Sequence, residues 1–168
     1  MPFRFRTSLL VLLVALCALA VTAAPNLDVA LSRQYELVAE RPYDAAVQND
    51  LGNLLLLVNQ DAAAEQAYRK ALELDGTHRG ARFNLGLLLQ AQGEHSAAVD
   101  EFSTLLETDP GHAWAHYQIG VSLQETGRRK AAVDHYARAF GLDPSLSFAE
   151  NNPHVIDNPM MTEALLMS

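Results

Sequence analysis

The stretch RGARFNLGLLLQAQGEHSAAVDEFSTLLETDPGH, residues 79–112, decides the fold because the chain repeats its pattern on both sides. The period is 34 residues, so the units are 45–78, 79–112 and 113–146, with no insertion between them. Three sets of residues keep this period: Gly52, Gly86 and Gly120; Ala64, Ala98 and Ala132; and Tyr68, Phe102 and Tyr136. A fixed period of this length is typical of repeat proteins, in which each unit buries its apolar face against its neighbours.

Each unit is predicted to form two helices joined by a tight turn. Asn59, Gly93 and Gly127 share one register, and both residue types tolerate the left-handed backbone conformation that such a turn requires. We expect first helices (the A helices) at about 45–58, 79–92 and 113–126, and second helices (the B helices) at about 61–74, 95–108 and 129–141. The small residues should let the A and B helices approach closely, and the aromatic residue of each unit should fill the space between neighbouring units.

These residues resemble the tetratricopeptide repeat, whose unit carries Leu-Gly, a large apolar residue, Gly, Ala, an aromatic residue, Ala and Pro. The second unit supplies Leu85, Gly86, Leu89, Gly93, Ala98, Phe102 and Pro110 at these positions. It departs at Leu105, in place of the second Ala, while Gly76 replaces the Pro of the first unit. The resemblance covers residues 45–146. It implies an all-α, right-handed superhelical solenoid in which the A helices line a concave groove.

Two flanks extend the repeat region. The first, 24–44, looks like half of a degenerate unit and predicts a capping helix at about 27–40, with Asp44 capping the first A helix. The C-terminal flank, 147–168, contains Asn158-Pro159, which can start a short last helix. We expect this flank to cover the last unit; the alternatives are that it lies across the groove or binds a partner.

The first 23 residues predict an export signal. A short basic stretch with Arg4 and Arg6 precedes an apolar run from Leu9 to Val21, and small residues end at Ala23. The run is shorter than the roughly 20 residues that a spanning helix needs. We therefore expect cleavage after Ala23 and export, with a bacterial periplasm as the destination that fits best. The alternative is an uncleaved signal anchor that tethers the chain to the membrane.

Composition excludes several classes of function. The net charge is −8, and removal of Arg4 and Arg6 with the signal leaves 10 basic residues against 20 acidic ones. A chain of this sign is repelled by nucleic acid and by anionic lipid surfaces. The single cysteine, Cys17, lies inside the predicted signal. The exported chain is therefore predicted to lack disulfides, thiol catalysis and cysteine-ligated zinc.

No sequence motif indicates catalysis, a cofactor or a metal. His112 and His116 have the i, i+4 spacing that can hold a metal on a helix, but no third ligand lies nearby in the sequence. His78 and His112 share one register, which favours a common role at the junctions between units. No serine occupies a nucleophile elbow, and no glycine-rich phosphate loop follows a strand. We predict that the protein is not an enzyme.

The resemblance also places groove-facing residues on the A helices. The candidate peptide-binding residues are Asn49, Asn53, Phe83, Asn84, Leu87, Trp114, Tyr117 and Val121. Asparagine amides can both donate to and accept from a peptide backbone, and aromatic side chains can anchor a ligand in a ladder along the groove. The cationic positions of the carboxylate clamp found in chaperone-tail-binding members hold Asn49, Trp114 and Gln118, so that clamp is absent.

The sequence thus predicts a non-enzymatic protein–protein interaction module of the cell envelope, which binds an extended or helical segment of another protein in the groove. The alternative is a structural subunit of a larger envelope complex that docks through the C-terminal flank.

Overall fold

The computed structural model describes residues 26–148, 150–152 and 154–168, and the predicted export signal lies outside them. Within these residues the regular structure is helical and contains no strand. No helix of the described part is both long and apolar enough to cross a bilayer. The all-α class predicted from the sequence is confirmed.

The helices follow the period of the sequence. Helix α1 (Leu27–Glu40) precedes three helix pairs. The pairs are α2 (Ala45–Leu57) with α3 (Asp61–Leu74), α4 (Arg79–Ala91) with α5 (His95–Thr108), and α6 (Ala113–Glu125) with α7 (Arg129–Leu142). A 3-10 turn (Pro144–Ser147), α8 (His154–Asp157) and α9 (Pro159–Leu165) come after them. Each pair packs on the next, α1 packs on α2 and α9 packs on α7, so the described chain is a solenoid with a helix at each end.

The turns and helix starts follow from local chemistry. Asn59, Gly93 and Gly127 have φ angles of 58°, 81° and 74°, which confirms the left-handed turns. The Asp44 carboxylate accepts hydrogen bonds from the backbone N–H groups of Ala46 and Val47 at the start of α2. The hydrogen bond from Val47 lowers the pKa of Asp44 most, and the charge of Arg41 and the hydrogen bond from Ala46 lower it further.

The two histidines in the shared register begin α4 and α6. The Nδ1 atom of His78 accepts a hydrogen bond from the backbone N–H of Ala81 at 3.0 Å, and His112 accepts from Ala115 at 3.1 Å. Each imidazole therefore satisfies one of the free N–H groups of a helix start, a role that serine, threonine, asparagine and aspartate usually fill. The junction role predicted for this register is confirmed.

The core is built from one contact that recurs in every unit. A Cβ added to Gly52, Gly86 or Gly120 would lie 2.5–2.6 Å from the nearest ring carbon of Tyr68, Phe102 or Tyr136, respectively. Each ring thus lies on the glycine of its own unit, whereas the sequence had suggested that the ring fills the space between units. The reason is that a glycine leaves a hollow on the A helix, and the ring of the paired B helix occupies it.

Candidate functional site on the concave surface

Amide side chains link neighbouring A helices along the concave surface. The Asn84 Nδ2 group on α4 donates hydrogen bonds to Asn49 Oδ1 and Asn53 Oδ1 on α2, both at 3.0 Å. The Tyr68 hydroxyl also donates to Asn53 Oδ1, at 2.8 Å. Asn49 is buried, and its hydrogen bond with Asn84 joins the first two units. Asn53 is exposed.

Part of this asparagine cluster remains available to a ligand. Among the described residues, the Nδ2 group of Asn53 and the Oδ1 atom of Asn84 have no hydrogen-bond partner. The cluster therefore offers one amide donor and one carbonyl acceptor to the solvent. Between the second and third units, by contrast, Gln90 uses its amide internally, donating to Ser122 Oγ at 2.7 Å and to the backbone oxygen of Gln118 at 2.9 Å.

An open aromatic cleft lies between the second and third units. Its volume is about 280 Å³, and its lining residues are Arg79, Gly80, Phe83, Asp109, His112 and Trp114. The Trp114 side chain is 44% exposed. The half-buried Phe83 ring packs on the Phe102 and His112 rings, with centroid distances of 5.4 and 5.2 Å. In this cleft the aromatic side chains of Trp114 and Phe83 are accessible from the solvent.

Tyr117, predicted as a groove anchor, is buried instead. Its hydroxyl donates a hydrogen bond to Asn152 Oδ1 at 3.2 Å, and its ring packs on Tyr136 and Trp114 with centroid distances of 5.5 and 5.6 Å. Burial raises the pKa of Tyr117, and the hydrogen bond with Asn152 partly offsets this rise. The aromatic ladder is therefore divided, because Tyr117 faces the C-terminal flank and Phe83 faces the open cleft. Leu87 and Val121 are half-buried against the core, and Val121 lies with Tyr117 next to the C-terminal flank.

The C-terminal flank covers the third unit and reaches its concave surface. Met161 and Ala164 of α9 are buried, and Asn158 caps α9 by accepting from the backbone N–H groups of Met160 and Met161. The Asn158 Nδ2 group also donates to Gln124 Oε1 on α6 at 2.6 Å. The flank therefore both closes the end of the solenoid and contacts groove positions of α6.

Arg129, in the basic stretch 128–130 at the start of α7, forms an ion pair with this same flank. The Arg129 guanidinium lies 2.8 Å from the Glu163 carboxylate, and both side chains are more than half exposed. An exposed ion pair of this kind contributes little to stability, roughly 0–1 kcal/mol. The ion pair instead orients the acidic C-terminal flank relative to the basic start of α7.

A histidine pair lies inside the third unit. His116 Nδ1 on α6 lies 3.2 Å from His135 Nδ1 on α7, and His116 Nε2 lies 3.3 Å from the backbone oxygen of Pro110. Because a carbonyl can only accept, His116 carries its proton on Nε2 and receives a hydrogen bond from His135. His112 uses its own Nδ1 as a helix cap, so the i, i+4 pair does not converge on a metal. No cluster of three or more potential metal ligands occurs in the described residues.

The histidine pair should make the stability of the protein depend on pH. Burial, together with the charges of His116 and Arg138, lowers the pKa of His135 to about 4, although Asp134 acts in the opposite direction. Burial likewise lowers the pKa of His116, with Arg138 and His112 contributing. An unfolded histidine has a pKa of about 6.5, so the unfolded chain binds more protons below that pH and the free energy of unfolding falls.

We expect urea unfolding to show a loss of about 1 kcal/mol between pH 7 and pH 5 from this pair, after allowance for partial solvent screening. The variant His135→Gln keeps an amide donor for His116 and removes one titrating group. Its pH dependence should be shallower than that of the wild type. Parallel curves for the two proteins would contradict the assignment.

The repeat units also match known sequence families. One family model described as a tetratricopeptide repeat matches residues 45–78 and 115–146, and a second with the same description matches residues 81–112. Together these segments make up more than half of the chain. The chain belongs to the tetratricopeptide repeat family. The matched segments coincide with the three helix pairs, so the family resemblance and the observed architecture agree.

Solved structures of tetratricopeptide repeat proteins share this fold. A crystal structure of MamA matches with a TM-score of 0.65 and 23% identity, over 72% of this chain and 66% of that one. YrrB, described as a TPR protein with an unusual peptide-binding site, matches with a TM-score of 0.58 and 26% identity, over 73% of this chain and 57% of that one. The first TPR of Spaghetti (RPAP3), bound to the HSP90 peptide SRMEEVD, has a TM-score of 0.60 and 16% identity, over 74% and 89%. The chain thus spans about two thirds or less of the length of those MamA and YrrB structures. A search of curated proteins finds no match.

Proposed function

We propose that this tetratricopeptide repeat protein is a non-enzymatic interaction module that binds a segment of another protein on the open part of its concave surface. The observation that carries the proposal is the cleft lined by Trp114 and Phe83, because it presents aromatic surface of both residues to a ligand, and α4, which carries Phe83, also carries the free Oδ1 atom of Asn84. The family fold is a protein-interaction scaffold, and YrrB and the RPAP3 domain are described with peptides. Both points support binding of a peptide here.

The polar part of this surface suits a peptide backbone. An extended segment presents an N–H and a C=O at each residue, and Asn84 Oδ1 and Asn53 Nδ2 provide the complementary acceptor and donor. Such contacts bind any sequence, so they supply affinity without selecting a partner. Selection then depends on the aromatic cleft.

The cleft beside Trp114 is suited to one apolar side chain of the segment. The half-buried Phe83 ring lines it together with Arg79 and Asp109, whose charged atoms are 3.1 Å apart. Buried aromatic anchors of this kind carry much of the binding energy of an interface, about 2 kcal/mol or more for one residue. We therefore assign Trp114 the largest share of the affinity.

Cross-linking and affinity purification from native cells identify the bound segment. Calorimetry then measures the affinity of the protein for that segment. We expect a dissociation constant in the micromolar range, roughly −8 kcal/mol. Trp114→Ala should weaken binding about 30-fold and Asn53→Ala about 5-fold. Tyr43→Ala is the matched control, since Tyr43 is an exposed aromatic residue in the loop before α2. Unchanged affinity in Trp114→Ala, with helical circular dichroism retained, would contradict the proposal.

A second function, assembly into a larger complex through the C-terminal flank, is favoured by one observation. Leu166 and Met167, which follow α9, are exposed although both are apolar. The same purification separates the two functions, because removal of residues 166–168 leaves the Trp114 cleft intact. Loss of the captured partner in that truncation, with capture retained in Trp114→Ala, would assign the interaction to the flank.

We also propose that the protein acts in the cell envelope after export. The support is the pattern of residues 1–23, a basic start, an apolar run and a small residue at position 23. Intact-mass measurement of the native protein should give a chain that begins at Ala24. A mass that includes residues 1–23, or a diacylglycerol group on Cys17, would show a membrane-tethered form instead.

A further inference from the structure

A second cleft lies where the C-terminal flank meets the concave surface of the third unit. Its volume is about 450 Å³, and α6 and α7 form one wall while α8 and α9 form the other. Tyr117, Val121 and Met160 contribute apolar surface to it. A cleft of this size matches the range found for ligand sites, about 300–1,000 Å³.

Two carboxylates line this cleft, one from α6 and one from α8. Glu125 belongs to the end of α6 and Asp157 to the end of α8, and both residues are exposed. In the described part of the chain neither takes part in an ion pair, whereas Glu163 of the same flank pairs with Arg129. The cleft therefore combines apolar surface with two carboxylates that have no ion-pair partner in the described residues, and Gln124, His154 and Asn158 also line it.

The walls of the cleft are held in place by specific contacts. The Asn158 Nδ2 group donates to Gln124 Oε1 at 2.6 Å, and Gln124 Oε1 also accepts from the Tyr136 hydroxyl at 3.2 Å. The Tyr117 hydroxyl donates to Asn152 at 3.2 Å. Because these contacts join the flank to both helices of the third unit, the cleft exists before a ligand arrives, and little ordering is needed on binding.

We propose that this cleft is a subsite for an arginine side chain of the bound segment; the inference rests on the proposed function. The alkyl stem of arginine packs on Val121 and Met160, and the guanidinium lies between Glu125 and Asp157. Arginine suits the site because its planar group carries five donors, enough for two carboxylates on different walls. The net charge of −8 also attracts a basic segment from a distance.

The position of the subsite constrains the partner. Trp114 lies at the start of α6 and Glu125 at its end. Eleven residues of helix span about 16 Å, which an extended peptide covers in about five residues. The segment should therefore carry an apolar anchor and an arginine about five residues apart.

The test uses the full chain and N-acetyl-arginine amide as the probe, with N-acetyl-citrulline amide as its neutral counterpart of nearly the same shape. We expect ¹H–¹⁵N NMR shifts to saturate at residues around the cleft with a dissociation constant of about 1–10 mM at low salt. Citrulline should bind at least fivefold more weakly, and added salt should weaken the arginine probe further. Equal binding of the two probes, or no saturable shift, would overturn the proposal.

Two double variants, each of which removes two negative charges, test whether the probe binds in this cleft. Glu125→Gln with Asp157→Asn should abolish the saturable shifts, while Asp100→Asn with Glu107→Gln, which changes two exposed residues of α5, should leave them unchanged. Retention of the shifts in the first variant would remove the site from this cleft. Binding of the arginine probe does not require Trp114. If the probe fails to bind, the proposed peptide binding at Trp114 is unaffected, and if Trp114→Ala leaves peptide binding unchanged, the result for the arginine probe still holds.

Discussion

Gly86→Leu is expected to destabilise the protein by about 3 kcal/mol or more. A Cβ at position 86 would lie 2.6 Å from Cε1 and 2.7 Å from Cζ of Phe102, whose side chain is completely buried. Overpacking typically costs 1–3 kcal/mol, and leucine adds further carbon atoms beyond this Cβ. Either α4 and α5 separate or the Phe102 ring leaves its place. Urea unfolding should therefore show a much lower midpoint.

The structure provides a matched control for this prediction. Gly141 lies in the last turn of α7, and a Cβ added there would have no atom within 4 Å. Gly141→Ala should raise stability by about 0.5–1 kcal/mol, because alanine is the better helix former and meets no neighbour. Combining Gly86→Ala with Phe102→Leu should recover part of the loss seen in either single variant, since both positions share one space. An unchanged midpoint in Gly86→Leu would show that the assignment of this contact is wrong.

Tyr117→Ala is expected to detach the C-terminal flank and to cost about 3 kcal/mol. Truncation of a buried aromatic side chain typically costs 3–5 kcal/mol, and the lower end applies because Tyr117 lies near the end of the solenoid. The change removes the ring contact with Tyr136, the hydrogen bond with Asn152 and the contact with Met161. Limited proteolysis should then cut within the C-terminal flank before it cuts within the repeat units.

Tyr117→Phe is the control for the ring. It keeps the packing on Tyr136 and loses only the hydroxyl contacts with Asn152 and Met161, so we expect a cost of about 1 kcal/mol and a flank that stays protected. A flank in Tyr117→Ala that resists protease as well as the wild type would contradict this role. One consequence concerns binding studies: a substitution at Tyr117 disturbs the fold, and Trp114 is the better residue with which to test the surface.

The repeat period by itself determined the helices of this protein. Because each unit repeats the same small and aromatic positions, the sequence predicted the A and B helices to within one residue of their observed bounds. The helix caps at Asp44 and Asn158, and the left-handed turn at Asn59, also followed from the sequence. All of these features depend on chemistry within a few residues of the position concerned, and a single unit contains that information.

Only the tertiary structure decided which concave residues are free. Asn49, Phe83 and Tyr117 share one register, yet the first joins two units, the second lines an open cleft and the third lies under the C-terminal flank. The flank itself has no repeat partner, so its place on α6 and α7 could not be read from the period. The physical reason is that exposure is set by whatever packs on a side chain from a distant part of the chain. For Tyr117 the covering residues lie 35 and 44 positions further along.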